Sequence, residues 1–359
     1  MGESEAVGQS GSFPTAPRQR GAHVWSRADV EATPGDWIWT LDDDQVSEMI
    51  EASTPYTTGV DDLPTISKHD FPVPAVAERV EQVRENLLHG LGFQVVKGWP
   101  VSDLPVRQTA AAVLGLGAHL GVVRSQNAAG HILGHIRDLG FDSADPQVRV
   151  YQTNERQTFH TDSTDVVGLL CLEEAESGGQ SMLVSAGTIY NEMLDRAPDL
   201  AAKLFEPVET DRRGEVPEGE RPYFTIPVLN WFAGQLTIML HRSYIESARR
   251  FEDVPPLGDD MIAALDLLDE IANDPRFNLA LNMERGDMLF VHNHSMLHDR
   301  MAFTNKPGSP RHLLRLWLSV DGDRELPDYY RQRYGSVTVG DRGGIITAQT
   351  QMCAPLTPL

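Results

Sequence analysis

Between Val148 and Val320 the chain breaks into short runs of β-type residues separated by turn residues, and this texture restricts the fold more than any other property. The runs are Val148–Gln152, Val166–Leu172, Ser181–Val184, Tyr223–Val228, Gln235–Leu240, Asn278–Met283, Asp287–His292 and Arg311–Val320. Only two helical stretches interrupt them. One spans Met261–Ala272, with Ile262, Leu265, Leu268 and Ile271 at helical spacing, and another follows Ser185 with Ile189, Met193 and Leu194. A doubly wound parallel sheet needs strict alternation of strand and helix, which is missing. The pattern predicts a mainly β fold, a sandwich or jelly roll, with peripheral helices. Those helices begin upstream: Asp43–Ala52, Pro74–Leu91 ended by Gly92, and Val106–Leu120, which keeps its period despite Gly115 and Gly117. A glycine-bounded strand, Phe93–Lys97, lies between the last two.

Charge narrows the partners. The 30 Lys and Arg against 52 Asp and Glu give a net charge of -22, which excludes nucleic acid and an anionic membrane surface as partners. A small molecule held in a local cationic pocket fits such a chain, and self-association into a homo-oligomer stays open. No run of about 18 apolar residues is present to span a membrane. The first residues are polar, rich in Gly, Ser and Pro, and lack the apolar stretch of a secretory signal. With two cysteines, Cys171 and Cys353, there is no disulfide framework, so the expected location is cytoplasmic.

Two motifs fail on inspection. Gly115–Gly121 imitates a dinucleotide fingerprint, but its third glycine comes one position late and it lies inside a helical run. His131 and His135 are spaced like a zincin pair, yet no glutamate stands between them, and a shared strand face explains them as well. Phe159-His160-Thr161-Asp162 is more productive. On an extended segment His160 and Asp162 point to the same side and can grip one ion. A third ligand must come from elsewhere, and Gly286–Arg300 is rich in histidine (His292, His294, His298). Two imidazoles and one carboxylate on one face of an octahedron suit Fe(II).

Arg311–Ser319 alternates without a break. Arg311, Leu313, Arg315, Trp317 and Ser319 share one face, and His312, Leu314, Leu316, Leu318 and Val320 the other. The apolar face places the strand deep in the fold, so the two arginines need anionic partners. Their Cα atoms lie roughly 13 Å apart at about 3.3 Å per residue, which suits two different anionic groups. Internal salt bridges would also satisfy them.

Taken together, His160-x-Asp162, a distal His298 and the following arginine strand resemble the Fe(II)/2-oxoglutarate-dependent dioxygenases of the taurine dioxygenase (TauD/TfdA-like) family. Gly92–Gly98 is similar to an early glycine-bounded strand of that family, and Gly178-Gly179-Gln180-Ser181 to its G-G-x-T segment, with serine in place of threonine. His298–Phe303 resembles an H-x-R-x-x-F stretch of the related carnitine-pathway hydroxylases. The loop from His298 to Arg311 is slightly longer than in taurine dioxygenase, which shifts the register of the arginines.

The resemblance implies a double-stranded β-helix (jelly roll, cupin-like) as a single domain over residues 23–335, with a disordered leader, 1–22, and a C-terminal tail, 336–359. His160, Asp162 and His298 would bind Fe(II), while Arg315 and Ser181 would hold the distal carboxylate of the co-substrate 2-oxoglutarate. Arg311 would meet either the metal-bound carboxylate of the co-substrate or the substrate. With O2 as second co-substrate, such an enzyme oxidises a small polar substrate and releases succinate and CO2. An aspartate at position 162 favours hydroxylation over halogenation, because halogenating relatives carry a small residue there. Gln126, Asn127, Tyr151, Asn293 and Arg300 are expected in the substrate pocket from their positions beside the motifs. The alternative is a non-catalytic jelly-roll protein that binds a metal or small molecule.

Overall fold

The computed structural model describes residues 15–59, 62–141, 148–347 and 349–358. Two β-sheets carry the architecture. The larger has seven strands, ordered Ile38–Thr40, Phe93–Lys97, Met288–His292, Val166–Glu173, His312–Ser319 and Val122–Arg124, with Leu133–Arg137 also paired to His312–Ser319. The smaller has four, ordered Asn278–Leu281, Ser181–Ser185, Met296–Arg300 and Gln157–His160. Apart from the parallel pair at one edge, the pairings within both sheets are antiparallel. The expected jelly-roll architecture with peripheral helices is what forms, and the sheets do not close into a barrel.

Residue alternation explains the layering. Leu314, Leu316 and Leu318 point away from the sandwich and pack with Val76, Val80, Val83, Leu114 and Leu116 of the helices Pro74–His89 and Val106–Leu120. Trp317, on the opposite face of the same strand, joins Val167, Leu183, Leu279, Leu289 and Val291 between the two sheets. The helices Ala186–Arg196 and Asp259–Asn273 cover the outer side of the small sheet through Ile189, Met193, Leu265 and Leu268. Each sheet is therefore buried on both faces, and the space between them is where polar groups can be held away from water.

The two glycines of the imitation fingerprint serve this packing. A Cβ on Gly117 would lie 2.3 Å from Leu316 Cδ2, and one on Gly115 would lie 2.3 Å from Phe71 Cγ. The helix touches the sheet at Gly117, with no room for a side chain.

Several expectations change. Val148–Gln152 is not a strand: Val150–Gln152 is a turn of 3-10 helix, closed because Gln152 Oε1 accepts from the Arg149 amide and Thr153 Oγ1 donates to the Val150 carbonyl. The helix starting at Pro74 stops at His89, before Gly92, because Asn86 Oδ1 takes the Leu91 amide at 2.9 Å. Met296–Arg300, too polar to read as a strand, is one. Residues 15–22, expected within a disordered leader, run along the Ala186–Arg196 helix, where Asn191 Oδ1 accepts the Gln19 amide and Asp195 pairs with Arg18. Residues 1–14 lie outside the described residues. The stretch after residue 335, expected as a tail, returns to the sandwich. Its Arg342 is fully buried between Asp165 (2.7 Å) and Asp323 (3.0 Å). Among the described residues no helix is long and apolar enough to cross a membrane.

Gly115→Ala tests the close approach. Helix propensity alone would stabilise by about 1 kcal/mol, but Phe71 is fully buried and has no space to retreat into. Overpacking is expected to win, with a net loss of roughly 1–3 kcal/mol in chemical denaturation; a stabilised variant would show that Phe71 can shift.

Candidate metal centre and the two cavities that meet there

Register builds the centre. In the small sheet His298 lies directly opposite His160 on antiparallel strands, and their ring centroids are 4.2 Å apart. Asp162 follows two residues after His160, just past the strand end, with Oδ2 4.0 Å from His298 Nε2. One ligand atom from each of the three side chains falls within 4.8 Å of the others, as a metal ion requires.

The surroundings orient these groups for a cation. His160 Nδ1 is 2.8 Å from the Thr158 carbonyl, which can only accept, so Nδ1 carries the proton and Nε2 keeps its lone pair, with the Gln157 amide 2.9 Å away. The His298 Nδ1 is buried and has no hydrogen-bond partner among the described residues. Burial lowers the pKa of both histidines, His298 to about 3, so both are neutral and able to ligate. Burial alone would raise the Asp162 carboxyl. The Arg315 guanidinium, the two imidazoles and the Trp317 N–H overcome that and hold it down at about 2. Trp317 Nε1 donates to Asp162 Oδ2 at 2.8 Å, and Arg315 Nη1 reaches both carboxylate oxygens at 3.3 and 3.4 Å. Asn293 Oδ1 accepts the Asp162 amide at 3.0 Å, which makes Asn293 a support behind the carboxylate and not a wall of the pocket. Two neutral imidazoles and an ionised carboxylate that converge in this way fit a divalent metal.

Two cavities meet at this centre and share Gln157, Asp162 and Arg315. The first runs past apolar Leu169, Leu289, Val291 and Leu313 to Ser181, Arg300 and Arg311. Register again sets the distance: Leu183 pairs with His298 and Ser181 with Arg300, so the serine and Arg300 lie two residues along from the metal ligand, on its face of the strand. Arg311 Nη1 and Arg300 Nε and Nη1 are buried and make no hydrogen bond among the described residues. Both guanidiniums stand over the Phe303 ring, 5.0 and 5.1 Å from its centroid. Burial, with the charge of Arg311 beside it, pulls Arg300 down to about 9; burial brings Arg311 to about 10. Two unneutralised cations facing a hydroxyl demand an anion. Gly179 makes the approach feasible: its φ is +73°, and a Cβ there would lie 2.8 Å from Arg311 Nε.

The two arginines stand at different places from those expected. Arg315 stands at the metal end, where both cavities meet, its Nε donating to Gln126 Oε1 at 2.7 Å and its guanidinium between the Tyr151 and Trp317 rings, while Arg311 lines the first cavity alone. The face shared by both residues was correct, but a strand's direction relative to a metal ligand on another strand is a tertiary matter. Arg300 also moves, from the substrate pocket to the Ser181 end. Asn127 lines neither cavity: its amide is occupied by His131, at 3.1 Å to the ring and 3.2 Å to the backbone.

The second cavity holds Gln126 and Tyr151 as expected, together with Arg149, His241, Tyr244 and Arg333, which sequence reasoning missed. The His241 ring lies 5.3 Å from His160 and stacks on Tyr244 at 3.4 Å, a placement made by an isolated bridge between His160 and His241 and carrying no local signature. Trp317 was legible as part of the inward face. His292 and His294 join neither cavity. They sit in a buried ionic cluster with Asp165 and Asp323, where Arg342 occupies the space a cation would take.

Comparison with known proteins agrees with this geometry. The family model described as taurine catabolism dioxygenase TauD, TfdA family, matches residues 53–317. FR-33289 synthase of Streptomyces rubellomurinus (strain ATCC 31215) is 33% identical over 315 residues, covering 86% of this chain and 92% of that protein. In fold, the chain is similar to asparagine oxygenase in complex with Fe(II), 3-hydroxyasparagine and succinate (TM-score 0.62, 17% identity, 79% of this chain and 93% of that one). It is also similar to the non-haem iron oxygenase OrfP in complex with Fe and alpha-ketoglutaric acid (TM-score 0.58, 18% identity, 78% and 93%).

Trp317→Phe keeps the ring over Arg315 and removes only the N–H that holds Asp162. Removing such a support typically costs 10- to 100-fold in metal affinity. That loss is expected for Fe(II) or Co(II) by calorimetry, and an unchanged affinity would mean that Asp162 does not depend on the indole.

Proposed function

We infer the roles of the site's residues from one premise: the chain belongs to the TauD/TfdA family of Fe(II)- and 2-oxoglutarate-dependent dioxygenases. It is an oxidoreductase of that class, acting on a small polar organic molecule. Our reading is that His160, Asp162 and His298 hold the iron, and that Ser181, Arg300 and Arg311 hold the distal carboxylate of 2-oxoglutarate. The carrying observation is the pair of buried guanidiniums with free N–H groups at the end of a cavity that begins at the three candidate ligands. Iron, once bound with 2-oxoglutarate and O2, supplies the oxidising chemistry that hydroxylates the substrate, with succinate and CO2 released.

The chain's own tasks are positional. Arg311 and Arg300 present N–H donors to one carboxylate, a charge-assisted contact that also relieves their mutual repulsion. Leu169, Leu289, Val291 and Leu313 keep water from the methylene middle of the co-substrate. Arg315 and Trp317 hold Asp162 ionised and fixed in direction, so that both imidazoles and the carboxylate converge on one point. The second cavity opens on the same point through Gln157, Asp162 and Arg315 and is the substrate's place. Gln126 and Tyr151 line it, and both act through Arg315, the first by hydrogen bond and the second by its ring.

The test is anaerobic addition of Fe(II) and 2-oxoglutarate. A visible charge-transfer band is expected, followed in air by succinate release with a panel of amino acids and small organic acids. A protein that shows no band and binds only zinc tightly would refute the reading and leave a non-catalytic binder. The two arginines should separate in the same assay. Arg311→Met is expected to weaken 2-oxoglutarate by about 2 kcal/mol or more, roughly thirtyfold, with metal affinity unchanged. Arg315→Met should instead weaken the metal itself, and the opposite pattern would restore the roles read from sequence.

A further inference from the structure

The charges lining the second cavity are equal in number but are not all paired with one another. Its wall includes the cations Arg149, Arg315 and Arg333 and the anions Asp162, Asp211 and Glu215. Every anion is already engaged. Asp162 is paired with Arg315, Glu215 lies 3.2 Å from Arg149, and Asp211 is held by Arg250 at 3.0 Å and by the Ser247 hydroxyl at 2.8 Å. Arg333 remains. Among the described residues it makes no salt bridge, and its hydrogen bond there is from Nε to Ser163 Oγ at 2.7 Å. Its guanidinium stands over the Phe224 ring at 5.7 Å; burial lowers its pKa, the nearby Glu215 carboxylate opposes that, and the Arg149 charge adds to it. The carbon wall beside it consists of Phe224, Ile226, Met239 and Leu240.

Arg333 is half-buried at this wall and has no ion pair of its own among the described residues, so an oxyanion brought by the ligand gains a charge-assisted contact there. Ser163, which fixes Arg333, directly follows Asp162, so the spare cation is tied to the chain segment that carries the metal ligand. Resting on the reading above, we propose that Arg333 anchors the substrate, which is a small molecule with an oxyanionic head (carboxylate, phosphate or phosphonate) and a short apolar body. The head docks on the outer N–H groups of Arg333. The body lies along Phe224, Ile226 and Leu240 and turns a C–H bond toward His160, Asp162 and His298. Arg149 contributes by locking Glu215, which would otherwise neutralise Arg333 from the same wall.

The experiment uses minimal probes on the Fe(II) protein at saturating 2-oxoglutarate, without oxygen, so that the Arg311 cavity is filled. Methylphosphonate, propionate and uncharged propionamide are titrated by calorimetry into wild type, Arg333→Met and Arg333→Lys. Wild type is expected to bind at least one of the two acids at least tenfold more tightly than the amide. Arg333→Met should lose that preference and Arg333→Lys keep part of it, while all three proteins retain the same affinity for 2-oxoglutarate. Equal binding of the acids by wild type and Arg333→Met, or binding of neither acid more tightly than propionamide by wild type, would overturn the proposal. The two readings fail separately. A normal charge-transfer band with no Arg333-dependent acid binding removes the anchor alone, whereas Arg333-dependent acid binding by a protein that forms no band removes the metal assignment alone.

Discussion

The site depends on one strand pairing, the antiparallel register that sets His298 opposite His160 in the four-stranded sheet. Because side chains alternate across a strand, a slip of one residue would turn His298 to the other face and leave Asp299 in its place. The same register places Arg300 beside Ser181 on the other side of the Met296–Arg300 strand. One strand therefore sets both the candidate metal ligand His298 and the proposed co-substrate cation Arg300, two residues apart on a single face. Rigidity comes from its neighbours, since it is paired on both edges and packed on both sides.

Around this strand the protein keeps unbalanced positive charge inside a strongly acidic shell. With a net charge of -22, the surface repels polyanions, yet guanidiniums with no salt bridge among the described residues line the cavities: the buried Arg300 and Arg311 in one, the half-buried Arg333 in the other. Contrast Arg342, buried but neutralised by Asp165 and Asp323, which works as a tie for the C-terminal segment. Chemistry distinguishes the two kinds. A paired arginine builds the fold, and an unpaired one waits for a ligand. Arg315 belongs to a third case, paired with a carboxylate that is itself a candidate metal ligand, so that it tunes the centre from behind.

Much of this was legible. The alternation of Arg311–Ser319 separated an apolar face, now packed against helices, from a face bearing Arg315 and Trp317, now at the metal centre. The His160-x-Asp162 spacing and the downstream His298 identified three groups that converge. What stayed hidden were contacts made across long sequence separations by residues with no local pattern. His241 reaches His160 through an isolated bridge, Arg149 sits on a 3-10 turn that reads as a strand, and Arg333 lies on a four-residue helix near the end of the chain.

By itself, the sequence determined the class of fold, the three candidate ligands and the need for anionic partners at the inward arginines. Periodicity reports which face of an element is buried, and residue chemistry reports what that face must meet. Only the tertiary structure decided which arginine stands at the candidate metal centre and which beyond it, because strand direction relative to the three candidate ligands comes from sheet pairing and not from spacing. It also decided that Asn127 and Asn293 are supports, that Arg300 stands with Ser181 and Arg311, and that the segment beyond residue 335 packs back on the sandwich. In each case the partner is far away in sequence, and its position exists only once the two sheets have stacked.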